Sequence, residues 1–148
     1  IVQESVDLLK MESADSVSFI PDYDPSIPAI SADASALRQL LINLLRNAFQ
    51  AGASEITIRS RVDYDSAMLQ PGTGSVVRLD IEDNGNGGPE SLRSLLFLPL
   101  VTGRRDGTGL GLALAQQIAA AHEGLLSYAP LEPGSRFTLR LPMERVNV

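Results

Sequence analysis

The sequence predicts an α/β domain, a two-layer sandwich in which a mixed sheet of about five strands is covered by about three helices. Three observations carry that expectation. Apolar residues recur at helical spacing from position 37 to 48. Residues 56–62 and 76–82 alternate in the manner of half-buried strands. The chain is 44% hydrophobic and 20% charged over 148 residues, which suits one core and one domain spanning 1–148.

Taken in order, Val2, Val6 and Leu9 stand at i, i+4 and i+7 and predict a short amphipathic helix. Val17-Ser18-Phe19-Ile20 reads as a strand, ended by the proline-rich stretch 21–28. Asp33 offers an N-cap for a long helix reaching about Ala51, with Gly52 closing it. Residues 56–62 form a strand, 63–75 a loop holding Pro71, Gly72 and Gly74, and 76–82 a second strand, so the pair is expected as an antiparallel hairpin. Residues 84–111 then hold 7 of the 12 glycines. Residues 110–123 read as a helix stopped by Gly124. Strands at 125–128 and 136–141 flank Pro130-Leu131-Glu132-Pro133-Gly134.

Composition excludes several chemistries. There is no Cys, one His (His122) and one Lys (Lys10). A disulfide framework, a thiolate zinc site and a thiol nucleophile are therefore ruled out, as is a multi-histidine metal site. Lys10 has no preceding glycines, so no P-loop is present. A net charge of −6 argues against binding along a nucleic-acid backbone. No apolar run approaches the ~18 residues that a membrane span needs. The chain opens at Ile1 without a signal-peptide pattern, and it is expected to be an excised piece of a cytoplasmic protein.

Three constellations carry chemistry. On the long helix, Leu37, Leu40, Leu41, Leu44, Leu45 and Ala48 form a core stripe, and Gln39, Asn43, Arg46, Asn47 and Gln50 a polar one. An amide-rich surface helix explains the polar stripe, and so does a site for Mg²⁺, because a carboxamide oxygen is a hard neutral ligand. In Leu79-Asp80-Ile81-Glu82-Asp83-Asn84-Gly85-Asn86-Gly87, the parity of Val77, Leu79 and Ile81 turns Arg78, Asp80 and Glu82 outward and Asp83 inward. An inward carboxylate needs donors, and the exocyclic amine of a purine is one; otherwise the segment is a turn. Gly107-Thr108-Gly109-Leu110-Gly111-Leu112 opens a helix, where backbone N–H groups can meet phosphate, and Arg104 and Arg105 stand beside it. It follows a polar loop and lacks the dinucleotide spacing, so the Rossmann reading fails.

Together these segments resemble the GHKL (Bergerat-fold) ATP-binding superfamily across nearly the whole chain. The N box matches Asn43-Leu44-Leu45-Arg46-Asn47-Ala48, the G1 box Asp83-Asn84-Gly85-Asn86-Gly87, and the G2 box Gly107-Thr108-Gly109-Leu110-Gly111-Leu112, with an F-box-like Leu96-Phe97-Leu98-Pro99-Leu100 between. ATP-hydrolysing members carry a glutamate base where this chain has Asn43, which favours phosphoryl transfer over hydrolysis. The wider pattern resembles the catalytic domain of sensor histidine kinases, above all the nitrogen-regulation branch of the NtrB type.

The resemblance implies ATP and Mg²⁺ as cofactors. It implies that Asn47 coordinates the metal and that Asn43 supports the phosphate end. Asp83 would read adenine, with Gly85 and Gly87 permitting close approach. Gly107, Gly109 and Gly111, with Thr108 and Leu110, would shape the phosphate-side turn. Thr102, Arg104 and Arg105 would line the phosphate side from a mobile lid at about 88–106. Asn86 and Gly88 depart from the family pattern and are expected to loosen entry to that lid. Gln50 stands where many of these kinases have a Lys, leaving the charge to Arg46, Arg104 or Arg105. The implied partners are a separate helical phosphoacceptor domain, an NtrC-like response regulator and a PII-type signal protein. His122-Glu123 mimics an acceptor pair but is read as a helix-terminal histidine, so the chain alone is not expected to phosphorylate itself. Two alternatives remain: a nucleotide-dependent docking module with weak catalysis, and a serine kinase of the anti-sigma type.

Overall fold

The computed structural model describes residues 2–13, 17–27, 32–63, 75–86 and 108–143. These form α1 (Val2–Ser13), β1 (Ser18–Asp22), α2 (Ala34–Gln50), β2 (Glu55–Asp63), β3 (Val76–Asp83), α3 (Thr108–Ala121), β4 (Leu125–Pro130) and β5 (Ser135–Pro142). The strands lie in the order β1-β2-β3-β5-β4. β1 runs parallel to β2 and the other neighbours are antiparallel, so the sheet is mixed, and β2 and β3 form the expected antiparallel pair.

One face of the sheet carries the core. Ile56, Ile58, Leu79, Ile81, Phe137, Leu139, Leu141, Leu126 and Tyr128 meet Val6 and Leu9 of α1, the leucines of α2, and Ala115 and Ala119 of α3. The α2 stripe follows from its spacing, since Leu37, Leu40, Leu41, Leu44, Leu45 and Ala48 fall on one side of a 3.6-residue helix. Its start is fixed by Asp33, whose carboxylate accepts from the Ala36 N–H at 3.1 Å, and at its end Gly52 follows at φ +78°.

β1 extends past its expected end. Pro21 lies inside the strand, opposite Ile58. A missing N–H is tolerated because β1 is an edge strand, with half its hydrogen-bonding groups unpaired in any case.

The other sheet face is polar and laced with ion pairs. Arg59 joins Asp22 and Glu82, Arg61 joins Asp22, Arg136 joins Glu82, and Arg78 joins Asp80. Hydrogen bonds from Arg61 and then Arg59 hold the Asp22 carboxyl below its usual range. Asp80 does sit on this outward face, yet it is buried there. Its carboxylate accepts from the Thr138 hydroxyl at 2.6 Å and pairs with Arg78 at 3.3 Å.

His122 ties α3 to α2. Its Nε2 accepts from the Asp33 N–H at 3.0 Å, so the proton is on Nδ1, which lies 2.8 Å from the Ile118 carbonyl. The ring is buried with both nitrogens engaged. It joins two helix ends and is not presented to a phosphate donor. Beyond it the chain reverses at Glu123 (φ 59°), and the Gly124 N–H returns to the Ala119 carbonyl. His122→Ala should cost ~1–3 kcal/mol, because the Asp33 N–H is left without its acceptor. Urea unfolding of the variant checks this, and an unchanged midpoint would contradict it.

Candidate functional site

Three elements carry the described candidate residues, with α2 packed against both of the others. α2 supplies Asn43 and Asn47, β3 ends at Asp83, and the first turn of α3 holds Thr108, Gly109, Leu110 and Gly111. α2 and α3 pack side by side, joined by His122 and Asp33 at the far end. Counting back from His122, 14 residues at 1.5 Å cover ~21 Å, the same rise that carries α2 from Asp33 to Asn47. The first turn of α3 therefore lies level with Asn47.

Asn47 is 8% exposed, and among the described residues no hydrogen-bond partner is found for its carboxamide. Among the described residues the fully enclosed polar atoms without a partner belong to Arg78 and Arg140, so the Asn47 amide still reaches the surface and is open to water or a ligand. The polar stripe is thus divided: Asn47 lies inward while Gln39, Arg46 and Gln50 are exposed. Asn43 is half-buried, its Oδ1 accepting from Gln39 Nε2 at 2.9 Å one turn earlier, which orients the amide.

Asp83 is buried, as the inward parity requires. One carboxylate oxygen accepts from the Gly85 N–H at 2.9 Å, and the other has no partner among the described residues. Burial pushes the carboxyl above the usual range, opposed by the Gly85 N–H.

The turn after Asp83 is fastened to the start of β2 and the end of α2. Asn84 Oδ1 accepts from the N–H groups of Ser54 and Glu55, and its amide donates to the Ser54 hydroxyl. Gly85 lies so close to Ala51 that a Cβ would come within 2.7 Å of its carbonyl oxygen. The Asn86 N–H donates to that same carbonyl at 2.8 Å. A proline at position 86 could not make this bond. The departure expected to loosen this segment therefore anchors it, at least as far as Asn86.

Two neighbours of Asp83 escape sequence reasoning. Ser135 faces it across the β3–β5 ladder, buried, with its hydroxyl 3.3 Å from that of Tyr128. Gly134, at φ +106°, sits against the Asp83 backbone, where any Cβ would overlap the Asp83 carbonyl oxygen. The pattern Gly134-Ser135 within the expected turn was the available signal, but only the strand register reveals what it faces.

The glycine segment differs from expectation in one respect. The helix expected from residue 110 starts at Thr108, so Thr108 and Gly109 join Leu110 and Gly111 in the first turn of α3 rather than preceding it. The first N–H groups of a helix lack intrahelical partners, and an anion site moves with them into that turn. Gly87, Thr102, Arg104, Arg105 and Gly107, with Gly88, the F-box-like segment and the expected lid, lie outside the described residues.

Comparison with known proteins bears on the family and the fold. The family model described as histidine kinase-, DNA gyrase B-, and HSP90-like ATPase matches residues 32–145. The chain is similar to the sensory histidine kinase/phosphatase NtrB of Klebsiella oxytoca, with 36% identity over 148 residues, covering 98% of this chain and 42% of that protein. Against NtrB of Rhodobacter capsulatus the identity is 40% over 129 residues, covering 84% of this chain and 36% of the relative. The chain thus spans less than half the length of these relatives. Among solved structures, the nucleotide-free catalytic domain of the histidine kinase ThkA superposes with a TM-score of 0.76 at 27% identity, covering 96% of this chain and 90% of that one.

Proposed function

The chain belongs to the family of histidine kinase-, DNA gyrase B- and HSP90-like ATPases, as the catalytic domain of a histidine kinase, and from that premise we propose that it passes the γ-phosphoryl group of ATP to a histidine on a separate helical domain. The observation that carries this reading is Asn47: a nearly buried carboxamide without a hydrogen-bond partner among the described residues, level with the first turn of α3. In the transfer, the acceptor nitrogen attacks the γ-phosphorus as the bond to the β–γ bridging oxygen breaks, and ADP leaves. Such a transition state asks for positioning and charge stabilisation rather than a covalent enzyme intermediate.

In this reading Asp83 accepts from the adenine amine through its unoccupied oxygen, with Gly85 close beneath. Asn43, Thr108, Gly109, Leu110 and Gly111 serve the phosphate end, with Thr102, Arg104, Arg105 and Gly107 as further contacts and Gly87 at the nucleotide. The donor set fits Mg²⁺ carried in by the phosphates, with Asn47 as its protein ligand, because this ion keeps its waters and takes few protein oxygens. When bound, Mg²⁺ neutralises charge on the phosphates. Asn43 cannot act as a base toward water near neutral pH, so transfer is favoured over hydrolysis.

The partners belong to the same proposal, supported by the likeness to NtrB. They are a phosphoacceptor domain, a response regulator of the NtrC type and a PII-type signal protein, in cytoplasmic nitrogen regulation. Titration of Mg-ATP into the chain, followed by addition of a separately made acceptor domain and γ-labelled ATP, tests the proposal. Label on the acceptor histidine is the expected result. Tight binding without transfer would overturn it in favour of a docking module.

A further inference from the structure

Val77 lies six residues, ~20 Å, along β3 from Asp83. At that end, between the helices and the sheet, is a cavity of about 260 Å³. Its walls are aliphatic, including Val2 of α1, Leu37 and Leu41 of α2, Val77 of β3 and Leu139 and Leu141 of β5. The cavity is open to solvent on one side, so a guest can enter it without unfolding the domain.

One polar group interrupts the aliphatic lining. Ser60 stands on the inner face of β2, opposite Leu79, and is 9% exposed. Its hydroxyl oxygen accepts from the Asp24 N–H at 3.0 Å, and among the described residues its proton has no acceptor. The Asp24 carboxylate, also in the lining, accepts the N–H and hydroxyl of Ser26 through Oδ1, which hold its carboxyl below the usual range. Beside that anionic group, the cavity presents one hydrogen-bond donor, the Ser60 hydroxyl, and no cationic side chain.

We propose that this cavity is a second ligand site, taking a small uncharged molecule that is mostly hydrocarbon and carries one hydrogen-bond-accepting oxygen. Cavities lined by Leu and Ile stay dry and accept apolar guests, and one of ~150 Å³ holds benzene. This larger volume suits about eight to ten carbon atoms. A ketone or ester oxygen would accept the Ser60 proton. An anionic guest would meet aliphatic walls and the Asp24 carboxylate and is disfavoured, and a cation could be neutralised only at that one edge of an otherwise aliphatic lining. The site is independent of the nucleotide reading, although Leu37 and Leu41 share α2 with Asn43 and Asn47.

The test compares acetophenone with cumene, which replaces the carbonyl oxygen by a methyl group, in methyl NMR titrations of the whole 148-residue chain. Acetophenone should shift the methyl signals of Leu37, Leu41, Leu139 and Leu141 saturably and bind more tightly than cumene. In Ser60→Ala its affinity should fall about three- to tenfold while that of cumene does not fall. Val77→Phe should fill the space, abolish both titrations and raise the melting temperature. Val77→Leu should act in the same direction with a smaller volume, and it serves if the phenylalanine variant does not fold. Absence of saturable shifts with either compound would overturn the site, as would shifts that persist in the filled variant. Equal affinities of the two compounds, unchanged in Ser60→Ala, would overturn the ligand class.

Discussion

Asn47→Ala should remove Mg-dependent nucleotide binding, lowering Mg-ATP affinity about a hundredfold or more, while the domain stays folded. The two halves of that expectation have separate causes. The carboxamide is the only oxygen ligand that the proposed metal takes from α2, and its loss leaves charge on the phosphates uncompensated. Stability, by contrast, should scarcely change. The amide makes no hydrogen bond to described residues at 8% exposure, and alanine suits a helix interior better than asparagine. Calorimetric titrations with Mg-ATP and with ATP in chelator, beside a thermal melt, read both quantities. Unchanged Mg-ATP affinity would sink the assigned role.

Asp83→Asn should move binding and stability in opposite directions. The carboxylate oxygen left open beside Gly85 is the proposed acceptor for the adenine amine. An amide cannot reproduce that charge-assisted bond, so ATP affinity should fall about ten- to a hundredfold and the preference over GTP should shrink. An unchanged ATP-to-GTP ratio would reduce Asp83 to a turn residue. The stability effect follows from a folded-state pKa that burial raises above the unfolded value. Such a group contributes stability that is complete below its unfolded pKa and is lost as pH rises through the folded one. At neutral pH the free domain therefore holds a charge that weakens it. The asparagine variant should melt at a higher temperature at pH 7, and the gap should close as pH falls into the acid range. Wild-type ATP affinity should also weaken at a higher pH than an ordinary carboxylate would dictate. Melts and titrations across that range check both signs.

The fold was legible where a repeat in the sequence matched a repeat in the backbone. The α2 leucines, the alternation of residues 56–62 and the Asp33 cap each rest on local geometry, and each appears in the structure. What escaped depends on neighbours distant in sequence. Pro21 reads as a strand terminator until β1 is known to lie at an edge. Asp80 reads as solvent-facing until Thr138, 58 residues away, is seen to donate to it.

The site divides in the same way. Inward parity was enough to predict that Asp83 is buried, and helical spacing to place Asn43 and Asn47 one turn apart on α2. Ser135 needed the β3–β5 register, and His122 needed the packing of one helix end on another. Asn86 shows that a departure from a family pattern has no sign of its own. Only its N–H on the Ala51 carbonyl tells whether the change loosens or fastens.

The prolines at the two margins of the sheet bear on how this domain behaves among other molecules. Among the described residues β1 pairs with β2 alone and β4 with β5 alone, and each margin carries a proline, Pro21 within the first and Pro130 at the end of the second. A strand approaching either side finds an interrupted row of donors, and the five-stranded sheet is a poor template for lengthening by a sixth. Concentrated solutions of the domain should resist ribbon-like aggregation for that reason. Assemblies that include it are steered away from shared sheets toward contact through the helical layer or the arginine-laced face.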